Sequence, residues 1–67
     1  MEDEMYMVID EHMDYIVSIV SDLDDAMMIA RRFNHEDDSR YHYYVVMECS
    51  RTFGESWLAA WEKVMNK

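Results

Sequence analysis

The spacing of apolar residues switches along this chain from two to about 3.6 and back, and only a fold with both strands and helices buries the result. Met5, Met7 and Ile9 alternate against Tyr6 and Val8, which predicts a strand over residues 5–10. Tyr15 to Ser21 is β-branched and aromatic, with Tyr15, Val17 and Ile19 on one face, and predicts a second strand. The polar break Asp10-Glu11-His12-Met13-Asp14 between them makes a hairpin, though it lacks glycine. The period then lengthens. Leu23, Ala26, Ala30 and Phe33, joined by Met27 and Ile29, fall on one helical stripe. Asp22 can cap that helix, and Asp24 and Asp25 suit its positive end. Arg31 and Arg32 suit its negative end, so the helix should stop after Phe33, at Asn34.

His35 to Arg40 reads as a charged loop, and Tyr41 to Cys49, dense in Tyr and Val, as a third strand. Thr52-Phe53-Gly54-Glu55 has the form of a capping box. Phe53, Trp57, Ala60, Trp61 and Val64 then recur at helical spacing, to about Asn66. The order is ββαβα. Short connections place the third strand beside the first, giving an α+β fold with a three-stranded antiparallel sheet in order 2-1-3 and two helices. Tyr43, Val45 and Met47 form the expected core set of the third strand, opposite His42, Tyr44, Val46 and Glu48. Both faces carry apolar groups. Either the second helix covers the far face, or Tyr44 and Val46 form an exposed contact patch.

With 67 residues the chain has room for one domain, spanning 1–67. Cys49 is the single cysteine, so no disulfide forms within the chain and the thiol reads as a small core residue. Runs such as Tyr43 to Met47 fall far short of the ~20 apolar residues of a membrane span. The first residues, Met1-Glu2-Asp3-Glu4, are acidic where a secretory signal begins basic. The expected location is cytoplasmic.

Charge narrows the function. Fifteen Asp and Glu against six Lys and Arg give a formal net charge of −9, yet 51% of residues are hydrophobic. Disordered acidic segments lack that apolar content, so the chain should fold and still carry a large negative field. Such a field repels nucleic acid and anionic membranes and draws in basic protein surfaces. The predicted topology gathers Glu2, Asp3, Glu4, Asp22, Asp24 and Asp25 at one end of the domain. It gathers Asp10, Glu11, Asp14, Glu36, Asp37 and Asp38 at the other, leaving only Glu48, Glu55 and Glu62 outside the two poles. Loop polarity and helix starts account for part of this. The pattern also fits carboxylates displayed where a partner expects phosphates.

No glycine-rich phosphate loop, Cys-x-x-Cys or His-Glu-x-x-His motif is present, and His12, His35 and His42 lie on separate segments. No catalytic residue, metal ligand or cofactor is expected, and the chain reads as a binding protein and not an enzyme. The ββα unit ending in Asp22-Leu23-Asp24-Asp25-Ala26, followed by an aromatic strand, is similar to a format common among small phage-encoded proteins that disable bacterial enzymes. That group includes inhibitors of host RNA polymerase, antirestriction proteins and anti-CRISPR proteins, several of them acidic nucleic-acid mimics. The resemblance implies an inhibitor acting in the host bacterial cytoplasm. Its partner would be a basic nucleic-acid-binding protein: a nuclease, a CRISPR effector or a polymerase. It assigns no residue. Tyr44, on the Tyr/Val sheet face, and the Trp57 and Trp61 helix are the elements through which the chain would instead dock or form a homodimer.

Overall fold

A computed structural model of the chain describes residues 3–65. Its elements are β1 (Glu4–Asp10), β2 (Tyr15–Val20), α1 (Leu23–Glu36), β3 (Tyr44–Ser50) and α2 (Arg51–Met65). The three strands form one antiparallel sheet in order β2-β1-β3, as the alternation and the short connections require. The expected end of α2 near Asn66 lies outside the described residues. No helix among the described residues is long and apolar enough to cross a membrane.

The hairpin closes without glycine because Asp14 takes the left-handed conformation, φ 60°. Aspartate tolerates that region better than most residues. The Asp14 N–H then returns to the Asp10 carbonyl at 2.7 Å.

α1 covers one face of the sheet. Val8, Ala26, Ala30 and Tyr44 form its buried cluster, with Tyr6, Val17, Val20, Ile29, Phe33 and Val46 packed around it. Two alanines at the contact let the helix approach the sheet closely. The expected core assignment of the third strand is therefore inverted. Tyr44 is only 6% exposed, whereas Tyr43 and Met47 are 46% and 52% exposed. Tyr44 is a core residue, not part of an open contact patch. The expected common face for Tyr15, Val17 and Ile19 also fails. The β1–β2 register shifts between Val8 and Ile9, which sends Val17 to the α1 side and Ile19 to the other.

The element boundaries shift for local reasons. α1 runs past Asn34 to Glu36, because the Asn34 side chain is committed elsewhere and Asp37 closes the helix through its N–H to Phe33 O. β3 begins at Tyr44 instead of Tyr41. The N–H groups of Tyr41 and His42 both turn back to Asp38 O at 3.0 Å. α2 starts at Arg51 with no loop after β3. Ser50 Oγ accepts the Phe53 N–H at 3.1 Å, so Ser50 caps this helix in place of the expected Thr52 box.

α2 crosses the second face at one end. Gly54 is its buried contact, seated over Met5 and Ile19; Trp57 and Leu58 are half-buried, and the turns beyond are exposed. A Cβ at Gly54 would lie 2.6 Å from Met5 Sδ, 3.2 Å from Ile19 Cγ2 and 3.3 Å from Met5 Cβ. Alanine gains about 1 kcal/mol of helix propensity over glycine, but overpacking a buried contact costs about 1–3 kcal/mol. Met5 and Ile19 are 5% and 3% exposed and have little room to yield. Gly54→Ala should therefore lower the unfolding free energy by about 1 kcal/mol net, read from urea denaturation. An unchanged or raised midpoint would show that α2 is not held at this point.

Candidate functional site

The two acidic poles form as the topology requires, but their carboxylates meet different fates. At the first pole, Arg51 N–H donates to Asp3 O at 2.8 Å and closes the start of β1 against the end of β3. The start of α1 follows the end of β2 at the same end of the sheet. Asp3, Glu4, Asp22, Asp24 and Asp25 are all exposed there. Asp22 caps α1, its Oδ1 accepting the Asp24 N–H at 2.9 Å. Asp24 and Asp25 occupy the first helical turn, where the helix dipole favours anions. None of these five carboxylates has a cationic partner among the described residues. Glu2 lies outside the described residues.

At the opposite pole most of the acids are engaged within the molecule. Asp38 chelates Arg40, with Nη2 to Oδ2 at 2.8 Å, and that guanidinium holds the Asp38 carboxyl below its usual range. Glu36 pairs with Arg32 one turn earlier on α1 at 3.2 Å. Asp37 accepts the Tyr44 hydroxyl. That bond, together with burial, keeps the phenol protonated well above the ordinary tyrosine range. Glu11 and Asp14 are exposed and keep their carboxylates in solvent.

Asp10 departs furthest from expectation. Its side chain is fully buried, so it presents no charge to a partner. Its Oδ1 accepts the backbone N–H groups of His12 and Met13 at 3.2 Å and of Tyr43 at 3.3 Å. Its Oδ2 accepts from His42 Nδ1 at 2.6 Å. Burial alone would push this carboxyl up. The His42 hydrogen bond and the Met13 and Tyr43 donors outweigh that and hold it below its usual range. The same contact raises His42 against its own desolvation, aided by the fields of Asp10, Asp37 and Asp38. The His42 ring also stacks on Tyr44, 6.1 Å between centroids, and Phe33 tilts against Tyr44 at 5.2 Å.

Sequence reasoning missed Asp10 and Asn34 as structural residues. The alternation Tyr6, Val8, Asp10 holds the signal for the first, since it puts Asp10 on the α1 face. Asn34 donates to Tyr44 O at 2.9 Å and accepts the Tyr44 N–H at 2.8 Å, an arrangement with no local sequence signature.

Other elements hold little chemistry. No group of three or more His, Cys, Asp and Glu among the described residues is placed to hold a metal ion. Cys49 is half-buried, and burial pushes its thiol up, away from the reactive thiolate. On α2, Trp57 and Trp61 stack with centroids 6.3 Å apart, and Trp61 is 51% exposed.

The Asp10–His42 pair predicts a pH dependence with a definite sign. A histidine whose folded pKa is raised gives its full stabilisation below its unfolded value, about 6.5. That stabilisation is lost as pH rises through the folded value. The aspartate, with its pKa lowered, contributes above about 3.9 and loses its contribution as pH falls further. Urea midpoints should thus be highest between those limits and decline on the alkaline side of about 6.5. His42→Gln should flatten the alkaline limb. A limb that persists in His42→Gln would assign it to other groups.

No family model, curated protein or solved structure matches this chain.

Proposed function

We propose that the protein binds the cationic groove of a nucleic-acid-handling protein, its carboxylates standing where phosphates would lie. The observation that carries this reading is the unpaired pole: Asp3, Glu4, Asp22, Asp24 and Asp25 are exposed and lack a cationic partner among the described residues. Apart from the Asp22 cap and the helix-dipole placement of Asp24 and Asp25, the carboxylates engaged within the fold are at the other end, on Asp10, Glu36, Asp37 and Asp38. The first pole repels itself and costs folding stability. Its carboxylates stand on the start of a strand and the first turn of a helix, elements that fix their spacing. A groove lined with lysine and arginine for phosphate supplies the missing counter-charge. The net charge of −9 speeds the encounter with such a groove. In this role the protein is an inhibitor of a nuclease, an RNA-guided effector or a polymerase, in keeping with the resemblance to small phage-encoded inhibitors.

A second reading, a docking or self-association module, is favoured by α2. Phe53, Trp61, Val64 and Met65 are 46%, 51%, 67% and 62% exposed, an apolar surface of the kind that marks an interface.

One experiment separates the two. A labelled DNA duplex is bound to each of a restriction endonuclease, an RNA-guided nuclease and a bacterial RNA polymerase, and the protein is titrated in. Displacement from at least one is expected, weakening as salt rises. Combined Asp3→Asn, Glu4→Gln, Asp24→Asn and Asp25→Asn should cut potency by about tenfold or more, since close charge pairs at interfaces couple strongly. Trp61→Ala should leave it unchanged. Failure to displace from any of the three, or equal potency of the neutralised protein, would end the mimic reading. Loss on Trp61→Ala alone would favour the second.

A further inference from the structure

β3 is an edge of the sheet, and the edge is only partly closed. The register decides which of its backbone groups point outward. Glu11 N–H donates to Tyr43 O at 2.7 Å, so the odd-numbered residues of this stretch bond across to β1. The N–H and C=O of Tyr44, Val46 and Glu48 therefore face away from the sheet. The Tyr44 rung is answered within the molecule, because the Asn34 amide both donates to it and accepts from it. Those two bonds are the ones a neighbouring strand would make. Beyond that rung Val46 and Glu48 have no strand beside them among the described residues.

An apolar wall runs along the same edge. Leu23, Met27 and Ala30 recur on α1 in one helical row that continues to Asn34. With Tyr44 and Val46 they line a groove of about 440 Å³. Leu23 and Met27 are 43% and 46% exposed although apolar, whereas Ala30, further along the row, is buried. Glu48, the next outward residue of β3 after Val46, is exposed and lies level with the start of α1. It pairs with Tyr6, which pairs with Val20, two residues before the Asp22 cap.

We propose that this groove is a strand-addition site for an extended segment of a partner protein. The segment pairs with the outward rungs of Val46 and Glu48. It sets aliphatic side chains at alternate positions against Leu23 and Met27 and a lysine or arginine beside Glu48. Charge selects this occupant over a second copy of the chain, since pairing β3 with itself would bring together two molecules of net charge −9. The site is independent of the carboxylate pole, because its affinity comes from backbone rungs and apolar contact, and the two readings stand or fall separately.

The probe is a fluorescein-labelled peptide, Lys-Val-Thr-Val-Thr-Val-Lys, titrated into the full chain, with amide spectra recorded on the same complex. Saturable binding is expected, with shifts and slowed hydrogen exchange at Val46 and Glu48. Met27→Lys places a cation in the wall at an exposed helical position and should weaken binding by about tenfold or more. Val46→Pro removes an outward donor at a position where an edge strand tolerates proline, and should do the same. Should Val46→Pro fail to fold, Met27→Lys decides. Asp3→Asn with Glu4→Gln, at the carboxylate pole, should change peptide affinity by less than about twofold. The proposal is overturned by no saturation up to about 1 mM peptide, by affinity indifferent to Met27→Lys, or by shifts confined to β2 or α2. It is equally overturned if sedimentation shows the chain pairing with itself through β3.

Discussion

A carboxylate shielded from solvent sits where three stretches of chain meet. Asp10 ends β1, and its oxygens gather N–H groups from the hairpin turn and from the residue that leads into β3, with His42 completing the set. A buried aspartate with no partners would cost several kcal/mol. The geometry around it is therefore tightly constrained: the turn must fold back over Asp10, and the 41–43 segment must deliver both a backbone donor and an imidazole. The left-handed Asp14 and the short β3 both follow from this requirement. Once Tyr43 and His42 are fixed, Tyr44 enters the sheet on the α1 side. Its hydroxyl is directed to Asp37 and its backbone to Asn34. The node thereby sets the position of the end of α1 as well.

The same residue type does opposite work at the two ends of the domain. Four acids of the Asp10 pole are engaged within the molecule, Asp10, Glu36 and Asp38 with His42, Arg32 and Arg40, and Asp37 with the Tyr44 hydroxyl, and they fix the hairpin turn, the end of α1 and the segment leading into β3. Those of the Asp22 pole gain one backbone cap and the favourable end of a helix dipole, worth about 0.3–1 kcal/mol per charge. That leaves most of their mutual repulsion uncompensated. A domain of this size has little stability in reserve. Retaining the imbalance on rigid elements is the physical basis for assigning the exposed pole a role outside the fold.

The strand and helix order was legible because the apolar period changes near Leu23, Tyr41 and Phe53. Strand order followed from the short connections. The faces of the sheet were not legible, for two reasons. A strand such as 43–47, apolar at every position, carries no alternation to orient it. The register shift at Val8 and Ile9 breaks the period-two facing of β2. Positions of the acids could be read from topology, but their availability could not. Whether Asp10 is exposed depends on His42, 32 residues away in sequence. The role of Asn34 is hidden similarly: asparagine near a helix end signals a stop, and only the nearness of Tyr44 turns it into an edge rung.

That edge rung bears on what the rest of the surface is for. Exposed sheet edges invite unwanted pairing, and proteins blunt them with charge, bulges or covering groups. On β2 the register shift distorts the ladder. On β3 the Asn34 amide closes the first outward rung and Glu48 places a charge further along, while Val46 between them stays open. Complete protection would have taken one more polar side chain on the α1 row, at Met27 or Leu23. Those positions are apolar instead, although half their surface meets water. The exposed part of Leu23 and Met27 adds nothing to the stability of the isolated domain. Their exposed apolar surface gains free energy when something covers it, and the adjacent open rung has the hydrogen-bonding groups that an extended backbone would pair with.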